Sequence, residues 1–489
     1  VSPGLDTLGV MLAYTPLHLL LLERVGIPLV MTSGNVSELP ICTSNREAVE
    51  RLAPIADGFL MHDRDIVSRY DDSVVRVIGG YPVFMRRARG FAPLPVPLPI
   101  EAPEPILAVG PHLKNTFTLA TGARAFVSQH VGDLENLETL EHFREALARY
   151  TELFRIEPGV VVRDAHPGYL STREAEELGI PRVMEVQHHH AHVAAVAAEH
   201  GVTSPVVGVS YDGTGYGDDG LTWGAEILLA DLCSYRRMGH LRYAPMPGGD
   251  LAARRPWRAA AGYLSLEPHQ APFFSRAFSD VPEEEKRMAE AQIERGVNAP
   301  AASSMGRLFD AASAVLGLRR VAYYEGQAAM ELEARASEAV VGLSSRTADP
   351  TELAADEGVL TRIPALPFPM TPGPTDSVQV MDPLPLLVEL GRRVDEGEEV
   401  AVLAAAFHLA VARATVELTA RICGSTDVSQ VALGGGVFQN ALLLAIVERG
   451  LAARGLEVFV PRLLGPNDGS ISYGQAVVGA ARLSAEREG

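Results

Sequence analysis

The chain has 489 residues, 47% of them apolar and 21% charged, enough for two or three globular domains with cores of their own. A net charge of −19 repels phosphate backbones and anionic lipid, so neither nucleic acid nor a membrane surface is expected as a partner, and no long Lys/Arg run offers a local exception. Three scattered cysteines, Cys42, Cys233 and Cys423, form no CxxC pair and no disulfide framework, which argues against a cysteine zinc ribbon and for a reducing, cytoplasmic setting.

The most apolar stretch, TPLHLLLLERVGIPLVM, is interrupted by His18, Glu23 and Arg24 and is too short to span a bilayer. It predicts a buried helix followed by a buried strand that ends in the polar turn TSGN. NREAVERLAPIAD then has helical spacing, with Asn45 as N-cap. The chain opens on Val and its apolar periodicity starts at once, so it is expected to belong to a longer product. Residues 1–92 read as a mixed α/β unit. Phe91–Pro105, FAPLPVPLPIEAPEP, carries six prolines. Such a segment excludes a helix and a central strand, and predicts an extended linker over 93–105.

Beyond the linker, ILAVG predicts a strand and PHLKNTFTLATGARAFVS a hairpin. ETLEHFREALARYTELFRI predicts an amphipathic helix with Leu140, Phe143, Leu147 and Leu153–Phe154 on one face. GVVVRDAHPGY reads as a strand entering a loop, and PVVGVSYDGTGYGDDG and VSQVALGGGVFQN as strands ending in glycines. Helix is expected to dominate 250–345, a proline-rich loop to occupy 347–377, and VAVLAAAFHLAVARATVELTARIC to form a long helix. Strand–glycine-loop–helix units opening at Ile106, Pro205 and Val428 suit a two-lobed nucleotide-binding α/β fold, and equally any doubly wound sheet.

The segment richest in chemistry is VMEVQHHHAHVAAVAAEHG, Val183–Gly201. On a helix, His188 and His192 stand one turn apart on one face, where two imidazoles can grip one divalent metal. No glutamate lies between them as in HExxH, so a zinc peptidase is not expected. The alternative is that His188–His190 cap the helix or meet solvent. A metal would need further ligands; Asp212 in SYDGTGYGDDG and Asp468 in GPNDGSISYG are candidates, each in a glycine-flanked loop after a strand-like run. DGTGYGDDG and LGGGVFQN have the composition of phosphate-cradling loops, or of plain turns, and neither is a GxxxxGK[ST] P-loop.

Taken together, VGPHLKNTFTLA, VSQHVGDLEN, VQHHHAHVAA, SYDGTGYG, MPGGDLAARRPW, SSMGRLFDA, YEGQAAMELEA, ALGGGVFQN and GPNDGSISYGQA resemble the Kae1-like domain of the HypF carbamoyltransferases, a family of hydrogenase maturation factors. LGVMLAYTPLH, MTSGNVSELPI, HDRDIVSRYDDSVVR and RRARGFAP resemble the end of that family's YrdC-like domain. The resemblance implies an α/β chain: a partial YrdC-like domain over 1–92, then a two-lobed actin/sugar-kinase-like domain over 106–489. It implies an ATP-dependent carbamoyltransferase that takes carbamoyl phosphate and ATP, with Mg2+, and forms carbamoyl-adenylate. The carbamoyl group then passes to the C-terminal cysteine of the partner HypE, the source of the cyanide ligands of the [NiFe] centre.

It further implies one bound divalent metal held by His188, His192, Asp212 and Asp468; imidazole with carboxylate suits zinc and iron alike. Gly213, Gly215, Gly434, Gly435, Gly436 and Asn440 would lie against the nucleotide. Lys114 and Asp212 are the candidates for catalysis, Lys114 either offsetting phosphate charge or standing as a solvated loop lysine. Glu325 and Glu331 would touch the ribose or orient the site, or, for Glu331, serve packing. In the first unit Thr32, Ser33 and Asn35 would meet ribose and phosphate. Arg64 and Arg69 would meet phosphate, or pair with Asp71 or Asp72.

The family pattern is broken in places. Its acylphosphatase domain, its CxxC pairs and the first half of its YrdC-like domain have no counterpart here, so a fragment is expected. SELPI stands where the family has SGEPI, which displaces Glu38 by one position. O-carbamoyltransferases of the nodulation or antibiotic type place the Kae1-like part first, the reverse of the order here. The tRNA threonylcarbamoyl machinery fits the HHHAH and DGTGYGDDG details less well. A truncated, non-catalytic scaffold is the alternative from another class.

Overall fold

The computed structural model describes residues 2–37, 39–344, 348–354, 356–373, 375 and 377–488; Glu38 lies outside the described residues. Helix α1 (Pro16–Val25) starts where the Thr15 hydroxyl accepts from the His18 N–H and ends at left-handed Gly26. It forms where the apolar run predicts a helix, but none of its leucines is buried, and Leu17, Leu19, Leu20 and Leu22 are exposed. The expected strand after it does not form. Residues 27–32 have no ladder partner among the described residues, and an apolar run without a neighbouring strand has nothing to pair with. Helix α2 (Asn45–Leu52) is capped by Ser44, not Asn45: the Ser44 hydroxyl accepts from the Glu47 N–H at 3.1 Å, and Glu47 reaches back to the Thr43 N–H at 3.0 Å.

Strands β1 (Val74–Ile78) and β2 (Tyr81–Arg86) form an antiparallel hairpin. Its turn is Gly79–Gly80, both at positive φ (59° and 85°), as a two-residue hairpin turn requires. The proline-rich segment is extended, as expected, but from Val96 it is strand β3 (Val96–Ala108) rather than a free linker. It pairs antiparallel with β4 (Thr118–Val127), with register breaks after Pro97 and Ala102, and parallel with β5 (Val160–Asp164) only over Ile106–Ala108. The prolines thus occupy the part with one neighbouring strand, and the doubly paired residues are free of them. The hairpin expected within 111–128 is instead the single strand β4, which finds its partner in β3.

Helices α3 (Leu137–Phe154) and α4 (Leu170–Glu177) cover the outer face of this sheet, which β6 (Arg182–Val186) completes in the order β4-β3-β5-β6. Leu140, Phe143 and Leu147 of α3 point inward, while Leu153 is exposed. Helix α5 (His188–Glu199) follows β6 at once.

The second lobe is built on nine strands: β7 (Val206–Tyr216), β8 (Thr222–Ala230), β9 (Tyr235–Leu241), β10 (Ala244–Pro245), β11 (Ala301–Ser304), β12 (Met370–Pro372), β13 (Gln379–Met381), β14 (Gln430–Gly434) and β15 (Glu457–Phe459). The main path runs β12-β13-β9-β8-β7-β14-β15, with β7, β14 and β15 parallel. One face carries helices α6 (Leu251–Arg254) through α10 (Gln327–Leu343), α11 (Pro350–Ala354), α12 (Glu357–Leu360), α13 (Leu384–Asp395), α14 (Val400–Thr426) and α15 (Ala441–Ala452). The expected loop over 347–377 therefore holds α11, α12 and β12. Leu353, Val359 and Ile363 anchor it in the core, a role that its prolines conceal in the sequence. Helix α14 is long and apolar enough to cross a membrane, yet most of it is buried in this core.

Between the two sheets lie α5 and α16 (Ile471–Glu488), sharing one core with β3, β5, β7, β8 and β14. This placement explains the alanine-rich sequence of α5. A Cβ at Gly474 would stand 2.0 Å from the Ala191 carbonyl oxygen, and one at Gly208 2.3 Å from Val193, so only small residues let the helix pass between its neighbours. Gly474→Ala must therefore part α5 from α16 and is expected to cost about 1–3 kcal/mol in urea unfolding. Wild-type stability in that variant would contradict the close packing.

Candidate metal centre and nucleotide cleft

The metal-site candidates come from chain ends that converge between the lobes. Gln187 caps α5, its side-chain oxygen accepting from the His190 N–H at 2.9 Å. His188 and His192 are thereby fixed one turn apart, both buried completely. Asp212 lies in β7, and Asp468 just before α16. All four offer a ligand atom within 4.8 Å of one another. His188 Nε2 is 3.3 Å from Asp212 Oδ2 and 3.6 Å from Asp468 Oδ1; His192 Nε2 is 3.6 Å and 3.5 Å from the same atoms. A tetrahedron with metal–ligand bonds of about 2.1 Å has edges of ~3.4 Å. The four separations fit one ion at the centre.

Two further observations agree with an ion there. Both ring nitrogens of His192 are buried without a hydrogen-bond partner, a costly condition that a metal would relieve at Nε2. The non-ligating atoms of His188 and Asp212, in turn, are held from outside. His188 Nδ1 lies 2.9 Å from Asp164 Oδ2, and the Gly436 N–H donates to Asp212 Oδ1 at 3.2 Å. A carboxylate behind a ligating imidazole fixes its tautomer and raises its basicity. Asp164 ends β5 in GVVVRDAHPGY, the same strand-then-Asp signal that marked Asp212, and sequence reasoning passed over it.

Charge follows the same geometry. Burial opposes protonation of His188, but Asp468, Asp164 and Asp212 outweigh it and hold its pKa well above the usual range. His192 is raised in the same way, against burial, by Asp212 and Asp468. Burial pushes the Asp212 carboxyl up, and the two imidazoles more than reverse it. A cation bound by His188 and His192 therefore competes with protons for the same ring nitrogens. His189 and His190 take no part: His189 is held neutral by burial and pairs with the Gln187 amide at 3.1 Å, and His190 meets the Asp231 carbonyl at 2.7 Å.

The glycines bring backbone to the cluster. Gly435 has φ 94°, and a Cβ there would come 2.2 Å from the Tyr211 carbonyl oxygen; one at Gly215 would strike the His189 and His188 rings. Gly213 is open, with nothing within 4 Å of its would-be Cβ. Gly434 sits against the His192 carbonyl. Asn440 is placed differently from expectation. Its side chain caps α15, accepting from the Leu443 N–H at 2.9 Å, and its amide lies 2.9 Å from His408 Nε2, so both polar ends face inward.

Next to Asp468 opens a cleft of about 450 Å3, lined from one side by Ser33, Asn35, Arg69 and Arg86 and from the other by Lys114 and His130. Asn467 and Gly469, which flank Asp468, belong to the same lining. Lys114 adopts a left-handed backbone at φ 45° and its ammonium meets Glu325 at 2.5 Å. Burial works against the Lys114 charge, yet Glu325 and Asp468 hold its pKa above the usual lysine range. His130 is driven the other way, to about 3, by burial and then by Arg86 and Lys114.

Several expected groups are engaged by other partners or lie outside the cleft. Glu331 is taken by Arg319 at 2.8 Å and 2.5 Å. Arg69 pairs with Glu145 at 2.8 Å rather than with Asp71 or Asp72, and Arg64 and Thr32 are exposed outside the cleft lining. Asn35 turns its amide to the Val36 and Leu39 carbonyls, and Ser33 donates to Asn35.

Comparison with known proteins places this geometry. The family model described as HypF Kae1-like domain matches 101–199, and that of the carbamoyltransferase Kae1-like domain, second subdomain, matches 208–475. The chain belongs to the HypF carbamoyltransferase family. Residues 1–88 match the Sua5/YciO/YrdC model described as telomere recombination, which gives the YrdC-like unit expected at the start. Carbamoyltransferase HypF2 of Cupriavidus necator is 43% identical over 99% of this chain and 62% of its own length. The chain thus spans about three fifths of that HypF. A HypF homolog from the same organism is 37% identical over 78% of this chain and 93% of its own length. A crystal structure of full-length HypF in a phosphate- and nucleotide-bound form superposes with a TM-score of 0.89 at 42% identity, over 99% of this chain and 72% of that one. The α/β architecture, a YrdC-like part followed by a two-lobed Kae1-like part, is that of HypF.

Asp164→Asn keeps the backbone contact to His166 but removes the anion behind His188. Metal affinity, read by chelator competition, is expected to fall about 10–100-fold. Unchanged affinity would show that Asp164 does not support the centre.

Proposed function

We propose that this chain performs the carbamoyl-transfer part of hydrogenase maturation. Carbamoyl phosphate gives up its phosphate, the carbamate so formed displaces pyrophosphate from ATP, accompanied by Mg2+, to give carbamoyl-adenylate, and the carbamoyl group passes to the C-terminal cysteine of HypE, on the way to the cyanide ligands of the [NiFe] centre. The observation that carries this reading is the buried cluster of His188, His192, Asp212 and Asp468, opening beside a cleft that reaches the YrdC-like unit. The nucleotide-bound form of the related HypF structure supports a nucleotide in the same fold. The free state of Cys42, Cys233 and Cys423 agrees with a reducing, cytoplasmic setting.

In the transfer step the HypE sulfur bonds to the carbamoyl carbon, the bond from that carbon to the adenylate oxygen breaks, and AMP leaves while the thiol proton is given up. His188, His192, Asp212 and Asp468 would hold a divalent metal, zinc or iron, which would supply positive charge against the negative charge that builds during transfer. Gly434–Gly436, with Gly213 and Gly215, let backbone N–H groups approach the nucleotide closely. Lys114 stays cationic and offsets phosphate charge, with Glu325 holding its ammonium. At the far side of the cleft Ser33 and Asn35 serve the YrdC-like half of the reaction.

The test is the mass of intact HypE after incubation with the purified chain, carbamoyl phosphate and ATP. One carbamoyl increment on its C-terminal cysteine is expected. His192→Ala should lose both the metal and the adduct while keeping the wild-type far-UV circular dichroism. Full adduct formation by metal-free His192→Ala protein would overturn the metal's role in transfer.

A further inference from the structure

We propose that the β1–β2 hairpin of the YrdC-like unit is a strap that sets the position of Asp468, and that Asn467 is the positioning residue through which it acts. This rests on the metal-centre reading above and adds a dependence of that centre on the other unit.

The hairpin is built into the second lobe. Ile78 and Val83 are fully buried in the core of the nine-stranded sheet. Arg76 meets buried Glu333 at 2.8 Å, and the Tyr81 hydroxyl donates to Glu448 on α15 at 2.7 Å. Its end nearest the site touches the Asp468 loop twice. The Asn467 amide donates to the Met85 carbonyl at 2.9 Å, and the Phe84 carbonyl oxygen would lie 2.5 Å from a Cβ at Gly465, so the loop backbone presses directly on β2. Asn467 works in both directions, because its Oδ1 accepts from the Gly469 N–H at 3.1 Å. The side chain thus closes the turn around Asp468 and ties that turn to the hairpin.

The same hairpin holds the opposite wall. Glu333 Oε1, the partner of Arg76, also accepts the Ala441 N–H at 3.0 Å, and Gln439 lies 3.2 Å from the Met85 sulfur. Both site loops, 434–440 and 465–470, are therefore fastened to one short ribbon that the YrdC-like family model covers. A ligand such as Asp468 must be held to within about 0.5 Å to complete a metal shell, and a bare surface loop does not do so. Movement of the YrdC-like unit would reach the metal through Asn467 without passing through the bound nucleotide.

The test uses Co2+ as the metal, titrated into the metal-free full chain against a chelator and followed by its visible absorption. Asn467→Ser keeps a hydroxyl for the Gly469 N–H but is too short for the Met85 carbonyl. Gly465→Ala pushes the Phe84 carbonyl away and keeps Asn467. Each is expected to weaken Co2+ binding about 10–100-fold, as loss of an outer-shell support does. Each should also reduce the intensity of the cobalt bands as Asp468 yields its place to water, a signature that a general loss of stability would not give. If Asn467→Ser does not fold, Gly465→Ala decides on the same readout. Wild-type affinity and spectrum in the folded variants would overturn the strap while leaving the metal centre standing. Failure of the wild-type chain to take up Co2+ would overturn both.

Discussion

The imidazoles of His188 and His192 sit on a helix that protein covers on every side, and a charge placed there has to be met by another. Burial disfavours the charged form of both imidazoles and of Asp212; their contacts with one another, with Asp164 and Asp468 beside the imidazoles, act the other way and outweigh it. A buried cluster with two orphaned nitrogens on His192 is costly to keep for stability alone. The rest of the lobe arrangement follows from bringing it together. Small residues let α5 lie between two sheets, glycines after β14 let backbone reach Asp212, and the loop before α16 is drawn in to deliver Asp468.

The candidate site was more legible in the sequence than the fold around it. The i, i+4 spacing of His188 and His192 is a local property of a helix, and Asp212 and Asp468 each stood in a glycine-flanked loop after a strand-like run. What tied them together was the resemblance, since nothing local says that positions 188 and 468 meet. Asp164 was missed because an aspartate at a strand end is common and its partner is identified only in space. Asn440 was misread for a related reason: a residue ending a glycine loop is also the residue that begins the next helix, and capping took its side chain.

The fold was legible where a segment's own pattern decided it. Helix α3 follows from its periodicity, and α5 and α14 form where the sequence was read as helix. Strands were harder, because a strand needs a neighbour. Residues 27–32 have the composition and no partner among the described residues, whereas Val96–Ala108 has four prolines against it and is a strand because β4 and β5 lie alongside. Helix α1 forms from its own caps while none of its leucines is buried, which separates helix formation from burial.

The family assignment joins two units that sequence reading treated as successive. In the structure they are interleaved: the hairpin of the first contributes to the core of the second, and the cleft between them is lined by both. The central claim is that one divalent ion sits among His188, His192, Asp212 and Asp468. X-ray absorption at the metal edge of the chain loaded with one equivalent of zinc tests it most directly. The account predicts a shell of nitrogen and oxygen only, with the multiple-scattering pattern of two imidazoles. A sulfur scatterer, or a shell without imidazole, would contradict it.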